Sequence, residues 1–257
     1  MPGFLLNRRP SVPQAITSFS PQAPLDELLA LAQTKFPCDF ERIKIGSLEL
    51  DLLQLTDMEA YIDTLAQSAT QSIELPFWAR IWPTSILLAT FLRNLPAAET
   101  TRVLELGAGV GLCGLVAARL GFAVTITDNN EDALLFSQIN ILRNGLSQRA
   151  EVELVDFTRT GLDRRFSLIL GSEVLYHEET YRPLVKFLLR HIGSAPGSEV
   201  LLAKSYKLKA KRFFSLAARD FDIQEKVLGY KASESQSTPG EDRHLAQIYR
   251  LKPKKHA

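Results

Sequence analysis

The chain has 257 residues and carries 30 Lys and Arg against 29 Asp and Glu, a formal net charge of +1, with 46% apolar and 23% charged residues. That balance argues against a dedicated nucleic-acid or membrane-surface binder and supplies apolar material for one large domain with an appendage. No apolar run approaches the ~20 residues of a membrane span. The two cysteines, Cys38 and Cys113, stand far apart outside any C-x-x-C, which suits free thiols in a reducing compartment, and the cytoplasm is the expected location.

Residues 1–24 contain no acid and carry Arg8 and Arg9, a faint transit-peptide character. Pro2, Pro10, Pro13, Pro21 and Pro24 forbid the continuous amphipathic helix such a peptide needs, so a loosely packed, flexible arm is expected. Residues 25–75 read as a small α+β extension. The stretch LDELLALAQTKF has helical leucine spacing, and FERIKIGSLELDLLQL alternates apolar and polar residues on both sides of Gly46-Ser47, a hairpin with a tight Gly-X turn. MEAYIDTLAQSA (Met58 to Ala69) is a second helix candidate.

From Arg102 the rhythm becomes strand, helix, strand, helix. RVLEL, FAVTITD, AEVELVDF, FSLILGSEVLY and SEVLLAKSY read as strands, with helices in GLCGLVAARLG, NEDALLFSQINILRNG, EETYRPLVKFLLRHI and KLKAKRFFSLAARD. FDIQEKVL and HLAQIYRL close the chain with no helix between them, only the polar GYKASESQSTPGED. Alternation implies parallel pairing with right-handed crossovers, and the helix-free final pair implies an antiparallel hairpin at one edge. Residues 76–257 are therefore expected to form one α/β domain, a Rossmann-like, mostly parallel seven-stranded sheet with a C-terminal antiparallel hairpin.

Within VLELGAGVGLCGLVAARLGFAVTITD, Gly109-Val-Gly111-Leu-Cys-Gly114 fits G-x-G-x-x-G, and Gly107 sits where the apolar strand stops. Ligands of open parallel sheets lie beyond the carboxyl ends of the strands, and a helix beginning near Gly109 would offer free N–H groups there. Asp128 ends the next strand, where a carboxylate can accept from a ribose diol. Loop and acid alone do not separate a dinucleotide from S-adenosylmethionine. Three features favour the methyl donor: the late start of the G-x-G-x-x-G register within E-L-G-A-G-V-G, the lack of a second domain for a hydride acceptor, and Asp156-Phe157 at the end of the third strand, able to bond an adenine amino group and cover its ring. Glu105, in that same stretch, and Asn129, beside Asp128, count with the cofactor-binding residues.

PFWARIWPTSILLATFL, VLELGAGVGLCGL with TITDNN, and SEVLYHEETY together resemble the seven-β-strand methyltransferases, and within them the protein-lysine methyltransferase group that includes the enzyme modifying the β subunit of electron transfer flavoprotein. The likeness runs from about Leu75 to Tyr206. It implies that Gly107 and Gly109 line the methionine part of S-adenosylmethionine, that Asp128 holds the ribose, and that Phe157, where relatives often have Trp, stands next to adenine. It further implies a cofactor contact for Ser172 and a covering role for Trp82. Glu173 and Tyr176 match the group's acid-x-x-Tyr motif, with Glu where Asp is common, and are the implied catalytic residues. The implied partner is a protein presenting a lysine to a monomeric enzyme, with no membrane and no nucleic acid. A methyltransferase of small molecules or RNA, and a cofactor-binding module without turnover, remain the alternatives.

Trp78 and Trp82 lie i, i+4 beside Pro76 and Pro83, so a core-capping role competes with a cofactor role, more strongly for Trp78. His177 adjoins the acid-x-x-Tyr motif; His191, His244 and His256 have no partner at metal spacing, and no metal site is expected. Lys204, Lys207, Lys209, Lys211 and Arg212 read as a solvated helix face rather than a patch for an acidic partner.

Overall fold

The computed structural model describes residues 17–68, 75–95, 101–231 and 243–254. α1 (Leu25–Lys35) leads into an antiparallel pair, β1 (Cys38–Ile45) and β2 (Leu48–Leu55), followed by α2 (Met58–Ser68). Gly46 turns the pair with φ +61°, in the Gly-X position that the alternation implies. A short 3₁₀ turn, Phe77–Ala79, precedes α3 (Pro83–Leu92), whose first residue is the favoured N1 proline. Leu87, Leu88, Ala89 and Leu92 are all buried in α3, so the helix is apolar on nearly every side and carries no amphipathic period to read.

The α/β unit follows as β3 (Arg102–Leu106), α4 (Leu112–Arg119), β4 (Ala123–Asp128), α5 (Glu131–Arg143), β5 (Ala150–Leu154), β6 (Leu168–Ser172), α6 (Tyr181–His191), β7 (Glu199–Ser205), α7 (Lys211–Ala217), β8 (Phe221–Lys231) and β9 (Arg243–Pro253). The strands form one seven-stranded sheet in the order β5-β4-β3-β6-β7-β9-β8. All pairs are parallel as far as β7, while β7–β9 and β8–β9 are antiparallel. This is the Rossmann-like sheet with the edge hairpin. Arg250 of β9 grips Glu199 of β7 through two bonds of 2.8 and 2.7 Å, which ties the hairpin to the parallel strands.

Residues alternate across the sheet: Val103 packs with α3, α4 and the β1–β2 pair, whereas Leu104 and Leu106 pack with α6 and α7. A third cluster joins α1 to α5 through Leu28, Ala32, Phe36, Leu134, Leu135, Phe136 and Ile139. Each fully buried Leu, Ile or Phe side chain contributes about 1.5–3 kcal/mol.

Four local expectations change. The helix after the glycine loop begins at Leu112, because Gly109 and Gly111 both have positive φ and cannot be helical. β6 stops at Ser172, since Glu173 takes φ +55° and breaks the extended run. α7 is confined to Lys211–Ala217, so Lys207 and Lys209 precede it and Lys204 lies inside β7, 3% exposed rather than on a solvated face. The last two strands are longer than their apolar cores, because pairing with each other satisfies the backbone of polar residues as well.

Residues 17–24 do not form a loose arm. Phe19 is buried, Gln138 Nε2 donates to the Pro21 carbonyl at 2.7 Å, and the Ser18 N–H donates to Glu131 at 3.0 Å. Residues 1–16, with the two arginines of the transit-like stretch, and 232–242 of the polar connection lie outside the described residues.

Candidate active site

β3 lies between β4 and β6, so strand order reverses at its carboxyl end, and the glycine loop leaves the sheet there. Gly107, Gly109 and Gly111 all have positive φ, at +56°, +56° and +83°. Any other residue type would cost roughly 1–2 kcal/mol at each. The loop also runs close to its surroundings: a Cβ on Gly109 would stand 2.5 Å from the Trp78 carbonyl oxygen, and one on Gly107 3.0 Å from a Val174 methyl.

The loop is bonded from below. Asp128 Oδ2 accepts the Gly109 N–H at 2.9 Å, and the Ala108 N–H donates to the Thr127 carbonyl at 3.0 Å. From α5, Ser137 Oγ donates to the Gly109 carbonyl at 2.8 Å and Asn140 Nδ2 to the Val110 carbonyl at 3.0 Å. Asn140 Oδ1 also accepts the Leu53 N–H at 2.6 Å, so β2 and the glycine loop share one buried side chain.

Glu105 and Asp128 are both buried here. Glu105 accepts the Gly114 N–H at 2.7 Å at the start of α4, a favourable end for a negative charge, yet burial pushes its carboxyl up to about 8. Burial also raises Asp128, countered by the N–H groups of Gly109, Asn130 and Asn129. A carboxylate has about four acceptor sites, so Asp128 retains capacity for a ligand hydroxyl. Asn129 thus contributes its backbone N–H to Asp128, while Asn130 caps α5 through Asp132 and Ala133 N–H groups.

Beyond β5, Asp156 Oδ1 accepts from the N–H and hydroxyl of Thr158, at 2.8 and 2.6 Å, forming a local turn. Phe157 beside it is half-buried, edge-on to Phe187 with ring centroids 6.4 Å apart.

On the other side of β3, Ser172 Oγ donates to Thr84 Oγ1 at 3.0 Å. Glu173 is the one non-glycine residue with positive φ among the described residues, a conformation costing about 1–3 kcal/mol. Its carboxylate accepts the Ser205 N–H at 2.6 Å, and its own N–H donates to the Ala203 carbonyl at 2.9 Å. Burial pushes the Glu173 carboxyl upward, opposed in turn by the Ser205 N–H, the Thr84 hydroxyl and the charge of Lys204. Tyr176 is 65% exposed, its ring 4.4 Å from His177, and is accessible to a large acceptor.

Trp82 is half-buried: its Nε1 donates to the Phe77 carbonyl at 3.1 Å, and Arg80 stacks 5.2 Å from its ring centroid. Trp78 instead packs edge-on between Phe36 and Phe136, at 5.4 and 5.1 Å, so its ring belongs to the core. His191 is likewise internal, bonded to the backbone of Phe187 and Leu162. Thr84 and Lys204 are site residues that sequence reasoning missed. Thr84 had one available signal, its place one residue past the Trp-Pro pair that opens α3.

The arrangement of sheet, switch-point loop and terminal hairpin is that of the Rossmann-like methyltransferases. A putative RNA methyltransferase from Pyrococcus horikoshii superposes with TM-score 0.53 and 17% identity over 77% of this chain and 99% of that one. The Pyrococcus abyssi tRNA (uracil-54, C5)-methyltransferase, solved with S-adenosyl-L-homocysteine, gives 0.50 and 18% over 83% of this chain and 44% of that one. The lysine methyltransferase family profile matches residues 53–220, and this chain belongs to that family of S-adenosylmethionine-dependent enzymes.

Among similar sequences, the zebrafish (Danio rerio) protein N-lysine methyltransferase METTL21A is 35% identical over 57% of this chain and 70% of its own length. The mouse (Mus musculus) EEF1A lysine methyltransferase 3 is 31% identical over 63% and 74% respectively. The residues at the switch point fit the donor: a loop whose glycines leave room for nothing larger, a buried acid with a free acceptor site, and an aromatic face beyond β5.

Proposed function

We propose that the glycine loop, Asp128 and the segment after β5 hold the methyl donor, and that Glu173 and Tyr176 receive a lysine side chain of a protein on the opposite side of β3. The donor supplies an electrophilic methyl on a sulfonium. Gly107 and Gly109 lie against its methionine part, Asp128 takes the ribose, Asn129 and Glu105 support the loop and the acid, and Asp156 with Phe157 meets adenine. Ser172 and Trp82 close the pocket from β6 and from the start of α3.

In-line methyl transfer needs little covalent help, and positioning is the main lever, worth up to roughly 7–11 kcal/mol. A lysine amine of pKa near 10.4 must be neutral to attack, which costs about 4–5 kcal/mol at pH 7 unless the entrance disfavours the cation. Glu173 orients the amine and the Tyr176 hydroxyl takes part in the same hydrogen-bonded approach. The observation that carries this reading is the strained Glu173 backbone, held by Ser205 and Ala203 at the entrance and followed by an exposed Tyr176.

Relatives named for protein N-lysine methylation support a protein acceptor. No described helix is long and apolar enough to cross a membrane. A monomer acting in the cytoplasm, with residues 25–75 as an extension bracing the loop through Asn140, completes the proposal.

The test is incubation of the purified enzyme with radiolabelled S-adenosylmethionine and a cell lysate. Label is expected in a protein band that releases methyl-lysine on hydrolysis. Label confined to RNA or small molecules would replace the acceptor, and no label above a heated-enzyme control would favour a binding module.

A further inference from the structure

Lys204 sits where β7 runs out and is 3% exposed. Its ammonium donates to the carbonyls of Leu208, at 2.6 Å, and Ser205, at 3.3 Å, and to the side-chain oxygen of Gln247 on β9. It also lies 5.8 Å from the centroid of the Tyr249 ring. Gln247 passes the link outward through its amide to Glu225 on β8. Three ammonium donors thus meet three acceptors, the full complement for a lysine.

Burying this charge is nevertheless costly, and a Met or Leu at this position in β7 would pack without the penalty. What a hydrophobic residue would not supply is a charge beside Glu173. The peptide groups flanking Lys204 are the two that bind Glu173: the Ala203 carbonyl accepts its N–H, and the Ser205 N–H donates to its carboxylate. The Ser205 carbonyl and the turn as far as Leu208 are in turn gathered by the Lys204 ammonium.

We propose that Lys204 is a positioning residue for methyl transfer: its buried ammonium locks the Ser205–Leu208 turn and holds the Glu173 carboxylate in its working place. This rests on the reading of Glu173 as the group that orients the acceptor amine. Burial drives the Glu173 carboxyl toward its neutral form, and the Lys204 charge pulls the other way, with a reciprocal effect on Lys204. Glu225 and Gln247 anchor the far side of the ammonium, so the device connects the outer hairpin to the entrance.

The test is a double-mutant cycle with Lys204→Met and Glu173→Gln, using radiolabelled S-adenosylmethionine and the acceptor isolated as the labelled band. Binding of S-adenosylhomocysteine, thermal melting and hydrogen exchange at the Ser205 amide are measured on the same proteins. Lys204→Met is expected to lower kcat about ten-fold, to leave S-adenosylhomocysteine affinity unchanged and to speed exchange at Ser205, with no further loss in the Glu173→Gln background. Wild-type kcat and exchange in Lys204→Met, or losses that multiply in full, would overturn the proposal while leaving Glu173 in place. Full activity of Glu173→Gln alone would instead remove the reading on which it rests. If Lys204→Met does not fold, Gln247→Met takes its place, with a smaller loss of kcat expected and wild-type kcat and Ser205 exchange overturning the proposal.

Discussion

Two carboxylates on either side of β3 are asked to do different work, and their surroundings differ accordingly. Asp128 is buried and held by backbone N–H groups of the loop that it supports, whereas Glu173 is half-buried in a strained backbone next to an exposed tyrosine. Asp128→Ala should therefore weaken S-adenosylhomocysteine binding by roughly 1.5–3 kcal/mol, the usual worth of hydrogen bonds to a charged group. Isothermal calorimetry checks this, and unchanged affinity would take Asp128 out of the cofactor site. Glu173→Ala should spare that affinity and lower kcat, with Tyr176→Phe a milder loss of the same kind, because both side chains lie on the acceptor side. Equal turnover in wild type and both variants would leave the motif as a local turn only.

At the level of elements, the glycine loop is the joint between strand β3, helix α5 and the Phe77–Ala79 turn. Its glycines are not equivalent to glycines elsewhere in the chain. Gly121 has φ +98° with open space around it, so Gly121→Ala should cost only the backbone term, about 1–2 kcal/mol. Gly109→Ala meets the same kind of term and also drives a Cβ into the Trp78 carbonyl, a backbone atom that cannot step aside cheaply. It should melt lower than Gly121→Ala and lose S-adenosylhomocysteine binding, which Gly121→Ala keeps. Melting curves in the same order but with cofactor binding intact in both would separate the loop's structural role from its ligand role.

For the whole molecule, the buried Glu105 makes stability depend on pH. Its carboxyl is pushed from an ordinary 4.5 up to about 8 in the folded protein. Between those values the folded state binds the extra proton, so stability falls as pH rises through the window, and below it the group contributes no slope. With 1.36 kcal/mol per pKa unit the total is on the order of a few kcal/mol. Glu105→Gln keeps an acceptor for the Gly114 N–H and removes the titration. Without cofactor, its melting temperature should exceed that of the native protein increasingly from pH 5 to pH 8. A constant difference across that range would show that Glu105 is ionised throughout.

Much was legible in the order of residues alone. Strand-helix alternation from Arg102, the helix-free final pair and the Gly46-Ser47 turn are local patterns, and each announces itself through periodicity or a residue with a special φ. The glycine loop, the acid that ends β4 and the acid that follows β6 were readable for the same reason, since a glycine or acid at a strand end is a short-range signal. What adjacency could not reveal is which side chains meet across long separations. Asn140 joins Leu53 to Val110, Thr84 reaches Ser172, and Ser205 donates to Glu173. Lys204 looked like part of a solvated basic run because neighbours in sequence define such a run, yet β9 pairs beside β7 and Gln247 supplies an acceptor from 43 positions away. Local propensity and pattern settled the elements; burial and hydrogen bonding between distant segments, which depend on the assembled sheet, decided which charged groups face the site.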